Sequence, residues 1–487
     1  MDRRSNLLSL ILALLLSVPS SSAQSFLGVN YGEVADNLPS PDATARLLKS
    51  TTISKVRLYG VDANFIRAMA GTKISLVIGA SNGDIPSLAT DPAAASRWIS
   101  ANVLAFPDTP ISTISVGNEV LELGDASLAS QLLPAMQNLH NAAVAAGGAA
   151  AGIKISTVNT MAVLSQSDPP SSGAFHPDLN SNLQQIVAFL QKTSSPFMIN
   201  PYPYFAYQSD PRPETLAFCL FQPNAGRLDA VSKITYMNMF DAQLDAVKSA
   251  LGRLGFPNTD IVVAETGWPY RGDSSEAGAN LENAKAYTSN LISHLKSQVG
   301  TPLMPGKSVD TYLFALYDED LKPGPTSERS FGLFHPDLTP TYDAGLTSGS
   351  TSVAPSTAPP QSGNSSNSPT SNMWCVPKDG VDDAQLQVDL DYACAQQGVD
   401  CGPIQPGGAC YDPNTVRSHA TYAMNQLYQV AGRNSWNCDF SKTAILTSEN
   451  PSKFDFLIFT CSVIIIWSGE FCSHAFRKSL YILHFPR

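Results

Sequence analysis

A (β/α)₈ barrel, followed by a solvated tether and a small disulfide-stapled domain, is the architecture this sequence predicts, and three observations predict it. Eight β-rich runs alternate with helical patterns between Gly28 and Asp343. A Ser/Thr/Pro-rich stretch then fills 347–372, and seven of the eight cysteines lie beyond residue 374. With 43 % hydrophobic and 15 % charged residues over 487 positions, the chain can bury an ample core, which excludes wholesale disorder.

The first segment is not part of that core. "MDRRSNLLSLILALLLSVPSSSAQS" carries Arg3 and Arg4, an apolar stretch from Leu7 to Val18, and small Ser21 and Ala23 before Gln24. This is the layout of a cleavable secretory signal over 1–23, and its apolar stretch falls short of the roughly 20 residues a spanning helix needs. The formal net charge is −11, and removing Asp2, Arg3 and Arg4 with the signal makes the remainder more acidic still. Nucleic acid and anionic lipid are therefore poor partners, since no clustered Lys and Arg surface is visible.

Over 24–346 the β-rich runs are "FLGVNYG", "KVRLYG", "KISLVIGA", "ISTISVGNE", "KISTVNT", "PFMINPYP", "DIVVAETGW" and "VDTYLFALYDE". Between them Ser40 with Pro41, and Asp91 with Pro92, read as N-cap followed by proline at the first helical position. Longer helical patterns follow in "DASLASQLLPAMQNLHNAAVAAG", "NLQQIVAFLQKT", "MFDAQLDAVKSALGRLG" and "NLENAKAYTSNLISHLKS", with apolar residues at three- and four-residue spacing. Such alternation favours a parallel sheet, and eight units fit a closed TIM barrel. An open doubly wound sheet is the rival, although no Gly-rich phosphate fingerprint follows the first run.

The fourth run ends on Asn118 and Glu119, and the seventh carries Glu265 directly after a Val-rich segment. Residues at the C-terminal ends of barrel strands face the mouth, so closure brings both carboxyl groups to one opening. Two carboxyls across a cleft are the equipment for cutting a glycosidic bond: one protonates the leaving oxygen, the other attacks or activates water. The competing reading is a pair of surface or ion-paired carboxylates. Asn118 and Asn200, both at strand ends, are placed to orient a sugar hydroxyl or the nucleophile. Tyr31, Tyr59, Tyr202, Tyr204, Tyr236 and Trp268 stand at other strand ends and nearby loops, where ring faces can stack on pyranoses. Singly each ring reads as core; their joint placement favours a groove. This chemistry requires no cofactor and no metal, and the seven histidines show no ligand spacing. Cys219 reads as a buried apolar thiol.

"GVNYGEVADNLPSP", "VRLYG", "VGNEV", "INPYPYF", "VAETGWP" and "ERSFGLFHPDLTPTY" together closely resemble the plant endo-β-1,3-glucanases of glycoside hydrolase family 17, over about residues 26 to 343. The resemblance implies β-1,3-glucan as substrate and a retaining mechanism, with Glu119 matching the proton donor and Glu265 the nucleophile. It also implies that Glu319 and Lys322 in "LYDEDLKPGP" lie beside that pair and bind substrate. Transfer of the glucosyl group to another sugar instead of water, and a wall protein that only binds glucan, are the alternatives; intact Glu119 and Glu265 speak against the second.

After the tether, which carries the glycosylation sequon at Asn364, the segment 373–447 resembles the X8 domain, carbohydrate-binding module family 43, which binds β-1,3-glucan. Cys375, Cys394, Cys401, Cys410 and Cys438 occupy that family's positions, where six cysteines normally form three bridges. Zinc is disfavoured, because no CxxC pair is present and secretion favours oxidation. Beyond Thr447 the resemblance fails. The tail 448–487 offers Cys461 or Cys472 as a displaced sixth partner, and ends in "SHAFRKSLYILHFPR", which does not support a glycolipid membrane anchor. An altered reading of the gene's 3′ end is the expectation for it. The expected location is extracellular, in the cell wall.

Overall fold

The computed structural model describes residues 27–346, 373–396, 398–430 and 435–447. The expected signal, the tether with Asn364, and the tail with Cys461 and Cys472 lie outside the described residues.

Each of the eight expected runs contributes one strand: β1 (Leu27–Tyr31), β2 (Lys55–Leu58), β3 (Ser75–Ala80), β4 (Ile111–Asn118), β5 (Lys154–Thr160), β6 (Phe197–Asn200), β7 (Ile261–Thr266) and β8 (Thr311–Leu313). They close into a barrel in chain order, each parallel to its neighbours, with β8 pairing back onto β1. The last strand is much shorter than its apolar run. After Phe314 the chain turns to a second partner, with the Ala315 N–H donating to Phe331 O and the Leu333 N–H to Ala315 O, which ends the ladder early.

Helices begin where the caps place them. Ser40 accepts from the Ala43 N–H ahead of Pro41–Lys49, and Asp91 accepts from the Ala93 N–H ahead of Pro92–Ile99. Asp125 caps the long helix Ala126–Ala146, which Gly147 ends at φ +69°. A hairpin of Arg227–Asp229 and Ile234–Tyr236, which no run in the sequence predicted, is inserted between β6 and β7.

The period of two along each strand sorts side chains between two cores. Leu27, Val29, Tyr31, Val56 and Leu58 join the large cluster shared with the helices. Val77, Val158, Met198, Ala264 and Tyr312 fill the barrel interior. Each fully buried aliphatic chain contributes roughly 1.5–3 kcal/mol. Asn30 and Arg57 have the inward parity, and both donate through the barrel interior to Ala264 O of the non-adjacent β7.

The C-terminal unit pairs Trp374–Pro377 antiparallel with Ala444–Thr447 and packs the helices Asp383–Cys394 and Val416–Val430 together around Leu386, Ala420 and Met424. Two bridges staple it, Cys375–Cys438 and Cys394–Cys401, and Cys410 is not a free thiol. The unit is small, and such covalent staples supplement a core of limited size.

Candidate active site

A cleft of about 940 Å³ opens at the C-terminal ends of the strands, and both Glu119 and Glu265 line it. The two side chains arrive there by similar local devices. Between β4 and β5 the pairing register slips between Ser115 and Asn118, and between β7 and β8 it slips between Val263 and Thr266. Strict alternation would have put Glu265 on the side of Ile261 and Val263, among the helices; the slip turns it to the mouth. Glu119 itself sits in the left-handed region at φ +56°, two residues after Gly117 at φ +67°. A Cβ on Gly117 would meet Val120 at 2.4 Å, so that corner is open only to glycine. Such strained backbone at a polar side chain is typical of functional sites.

Asn82 fixes the backbone beside Glu119: its Oδ1 accepts from the Asn118 N–H at 2.8 Å and its Nδ2 donates to Asn118 O at 3.2 Å. Asn200 Nδ2 donates to Glu119 Oε1 at 2.7 Å. Burial, and then the nearby charge of Glu265, raise the pKa of Glu119, while Asn200, Arg57 and Lys322 oppose the rise. A carboxylic acid in that setting retains its proton to higher pH than a free glutamate.

Glu265, 7 % exposed, is held quite differently. Arg57 Nη1 donates to its Oε1 at 2.6 Å, and the Tyr202 hydroxyl donates to its Oε2 at 3.0 Å. Arg57 is completely buried, reaches Asn118 Oδ1 with Nη2 at 2.7 Å, and lies over the Tyr59 ring at 4.5 Å. One guanidinium therefore spans from the β7 carboxylate to the residue preceding the β4 one. Its five fixed donors make it suited to that task in a way lysine is not.

On the far wall the Val34 N–H donates to Glu319 Oε1 at 3.0 Å. Lys322 Nζ lies 3.0 Å from Glu328 Oε2, 4.0 Å from Glu319 Oε2 and 4.5 Å above the Phe314 ring. Room for Glu319 depends on Gly32, since a Cβ there would lie 2.1 Å from the Glu319 carboxyl carbon.

Of the residues singled out from sequence, the cleft brings together Tyr59, Asn118, Glu119, Asn200, Tyr202, Glu265, Glu319 and Lys322. Four aromatics expected along a groove are in the core instead. Tyr31 has the outward parity of Leu27 and Val29 and packs on Phe65 at 4.2 Å. Tyr204 and Trp268, 1 % exposed, meet at 5.2 Å, with the indole donating to Gly278 O at 2.8 Å. Tyr236, on the inserted hairpin, donates to buried Asp245 at 3.0 Å. Each ring has its polar atom or its face satisfied inside the protein, which leaves nothing to present to a ligand. Arg57 and Glu328 were missed. For Arg57 a signal existed: a cation between Val56 and Leu58 in an apolar strand must face the barrel interior.

Cys219 is a free, buried thiol pushed up to about 12 by burial, as expected for an inert core residue. Among the described residues no cluster of His, Cys, Asp or Glu is arranged to hold a metal ion.

A parallel barrel whose mouth presents a proton-retaining carboxyl on one strand and an arginine-paired carboxylate on another defines the class of glycoside-cleaving barrels. Comparison with known proteins places it more narrowly. Residues 27–345 match Glycosyl hydrolases family 17, and the chain belongs to that family. Residues 373–445 match the X8 domain. Among relatives, glucan endo-1,3-beta-glucosidase 7 of Arabidopsis thaliana is 59 % identical over 445 residues, covering 91 % of this chain and 86 % of the relative. Glucan endo-1,3-beta-D-glucosidase of Olea europaea is 59 % identical over 454 residues, covering 92 % and 96 %. The solved structure of CJP38, a beta-1,3-glucanase and allergen of Cryptomeria japonica pollen, superposes with a TM-score of 0.62 at 41 % identity, over 66 % of this chain and 99 % of its own.

Proposed function

We propose that this chain is a secreted, endo-acting, retaining hydrolase of β-1,3-glucan, with its X8-like domain holding it on the polymer. The observation that carries the reading is the unequal treatment of two carboxyls in one cleft: Glu119 is pushed up, and Glu265 is ion-paired with Arg57. The names of relatives 59 % identical over most of the chain support the same substrate.

Glu265 attacks the anomeric carbon while Glu119 gives its proton to the departing glycosidic oxygen, so the C–O bond to the leaving chain breaks as the glycosyl ester forms. Water then replaces the leaving chain; Glu119, now ionised, takes its proton, and Glu265 is released with the product in the original configuration. Retention asks for carboxyls about 5–5.5 Å apart. Asn200 holds Glu119, Tyr202 and Arg57 hold Glu265, and Tyr59, Asn118, Glu319 and Lys322 bind sugar hydroxyls or keep the charges in place. The X8-like domain raises local polymer concentration without adding to the chemistry. No helix among the described residues is long and apolar enough to cross a membrane.

Incubation with laminarin, followed by proton NMR of the newly formed anomers, tests the reading. Short oligosaccharides released first in the β form are expected. Lengthened chains would indicate transfer, α anomers would overturn retention, and unchanged polymer retained on the protein would reduce the chain to a binder.

A further inference from the structure

In "GNEVLELGD" a second glutamate, Glu122, follows Glu119 by three residues, and it does not line the cleft. Beyond Glu119 the chain leaves β4 in a single 3-10 turn, Val120–Glu122, whose first two side chains are buried. The turn is closed by the Glu122 N–H, which donates to Glu119 O at 3.3 Å. The ladder between β4 and β5 therefore stops with the Glu119 N–H donating to Val158 O at 2.9 Å. Two residues further along β5, the Thr160 N–H points to the same side, but the carbonyl that would come next, Glu119 O, is already taken.

The Glu122 carboxylate supplies the missing acceptor, with Oε1 2.5 Å from Thr160 N. Its other oxygen, Oε2, is closed to solvent and has no hydrogen-bond partner among the described residues. A buried carboxyl so incompletely bonded is a poor device for stability alone. What it holds is the neighbour of the acid's own partner. Thr160 faces Asn200 across the β5–β6 ladder, and Asn200 Nδ2 donates to Glu119 Oε1 at 2.7 Å. The restraints close on themselves: Glu119 backbone to Val158, Glu122 to Thr160, Thr160 beside Asn200, and Asn200 back to the Glu119 carboxyl.

We propose that Glu122 is a positioning residue for the proton donor: it pins the end of β5 to the β4 corner and so fixes the Asn200 amide against the Glu119 carboxyl, without touching substrate. The proposal rests on the reading of Glu119 as the acid given above. A donor held slightly out of line protonates the departing oxygen less well, whereas the sugar contacts along the rest of the cleft are unaffected.

Glu122→Met fills the same space without an acceptor, and Glu122→Gln keeps an oxygen at the same reach. On laminarin Glu122→Met should lose about tenfold in kcat with KM unmoved, and Glu122→Gln should stay within about threefold of wild type. On 2,4-dinitrophenyl β-laminaribioside, whose phenolate leaves without a proton, kcat/KM of Glu122→Met should remain within about threefold of wild type. Adding Glu122→Met to Asn200→Ala should cost little beyond Asn200→Ala alone, because both act through one contact. Equal losses on laminarin and the aryl glycoside, a glutamine variant as poor as the methionine one, a loss carried by KM, undiminished kcat in Glu122→Met, or losses that multiply in the double variant would each overturn the proposal. Should Glu122→Met not fold, Glu122→Ser, too short to reach Thr160, replaces it with the same expectations. Glu119→Gln should itself lose far more on laminarin than on the aryl glycoside. If it does not, the assignment of the acid fails, an outcome distinct from failure of the Glu122 clamp.

Discussion

The ends of β4 and β7 present the same side chain to the same cleft and make two different acids of it. At β4, Glu119 lies on a left-handed corner, with one amide donor from Asn200 and burial acting against its charge. At β7, Glu265 meets a guanidinium at 2.6 Å and a phenol at 3.0 Å, so its charge is matched. Sequence spells both as a glutamate after a β-branched run. What separates them is supplied by other strands: β2 through Arg57 and the loop after β6 through Tyr202. A carboxyl's role is thus set by what the barrel closes around it, and pairs of titratable groups with diverging environments mark acid and nucleophile.

The harshest break of this contrast is Glu265→Ala. It should cost at least about 10⁴-fold in kcat while the folded protein persists, and azide should restore part of the turnover with inverted products, measured on an aryl β-glucoside or laminarin. An active variant without azide would take Glu265 out of the role. Next in size is Arg57→Met, which leaves the β7 carboxylate buried without its cation. A loss of about 10²-fold in kcat is expected, together with roughly 3–5 kcal/mol of stability in denaturant unfolding.

Asn200→Ala addresses the other side. Asn200 pulls the Glu119 pKa down, so its removal should let the pKa rise further. Glu119 must be protonated to work, and activity is lost as pH rises through its pKa. The alkaline limb of kcat/KM should therefore move to higher pH in Asn200→Ala, with a loss of about tenfold at the optimum. A limb that moves to lower pH would contradict the assignment. Tyr202→Phe sharpens the comparison most gently: losing one hydrogen bond to Glu265 should cost about three- to tenfold in kcat and leave the ring's packing on Phe205 and Phe331 intact, as seen by an unchanged Tm.

Much of the barrel was legible because each strand is buried on both faces and reads as a β-branched run, and because Ser40 and Asp91 announce their helices. Glu119 and Glu265 were legible as charges ending apolar runs. Four of the six aromatics were not, since a strand end shows a ring but the pleat decides its face: Tyr31 shares parity with Val29, whereas Asn30 turns inward, and of the six only Tyr59 and Tyr202 reach the cleft. The register slips just before Glu119 and around Glu265 carry no signature in composition, nor does the early end of β8, which goes with pairing to the distant Phe331 segment. Glu328 was hidden for the same reason, being brought to the cleft by elements remote in sequence.

Direct titration of Glu119 by carboxyl carbon-13 NMR, in the wild type and in Glu265→Gln, tests the central claim that the two groups sense each other across one cleft. Removing the neighbouring charge should lower the pKa of Glu119, because that charge now helps to hold its proton. A Glu119 pKa that stays where it was, or rises, would contradict the account.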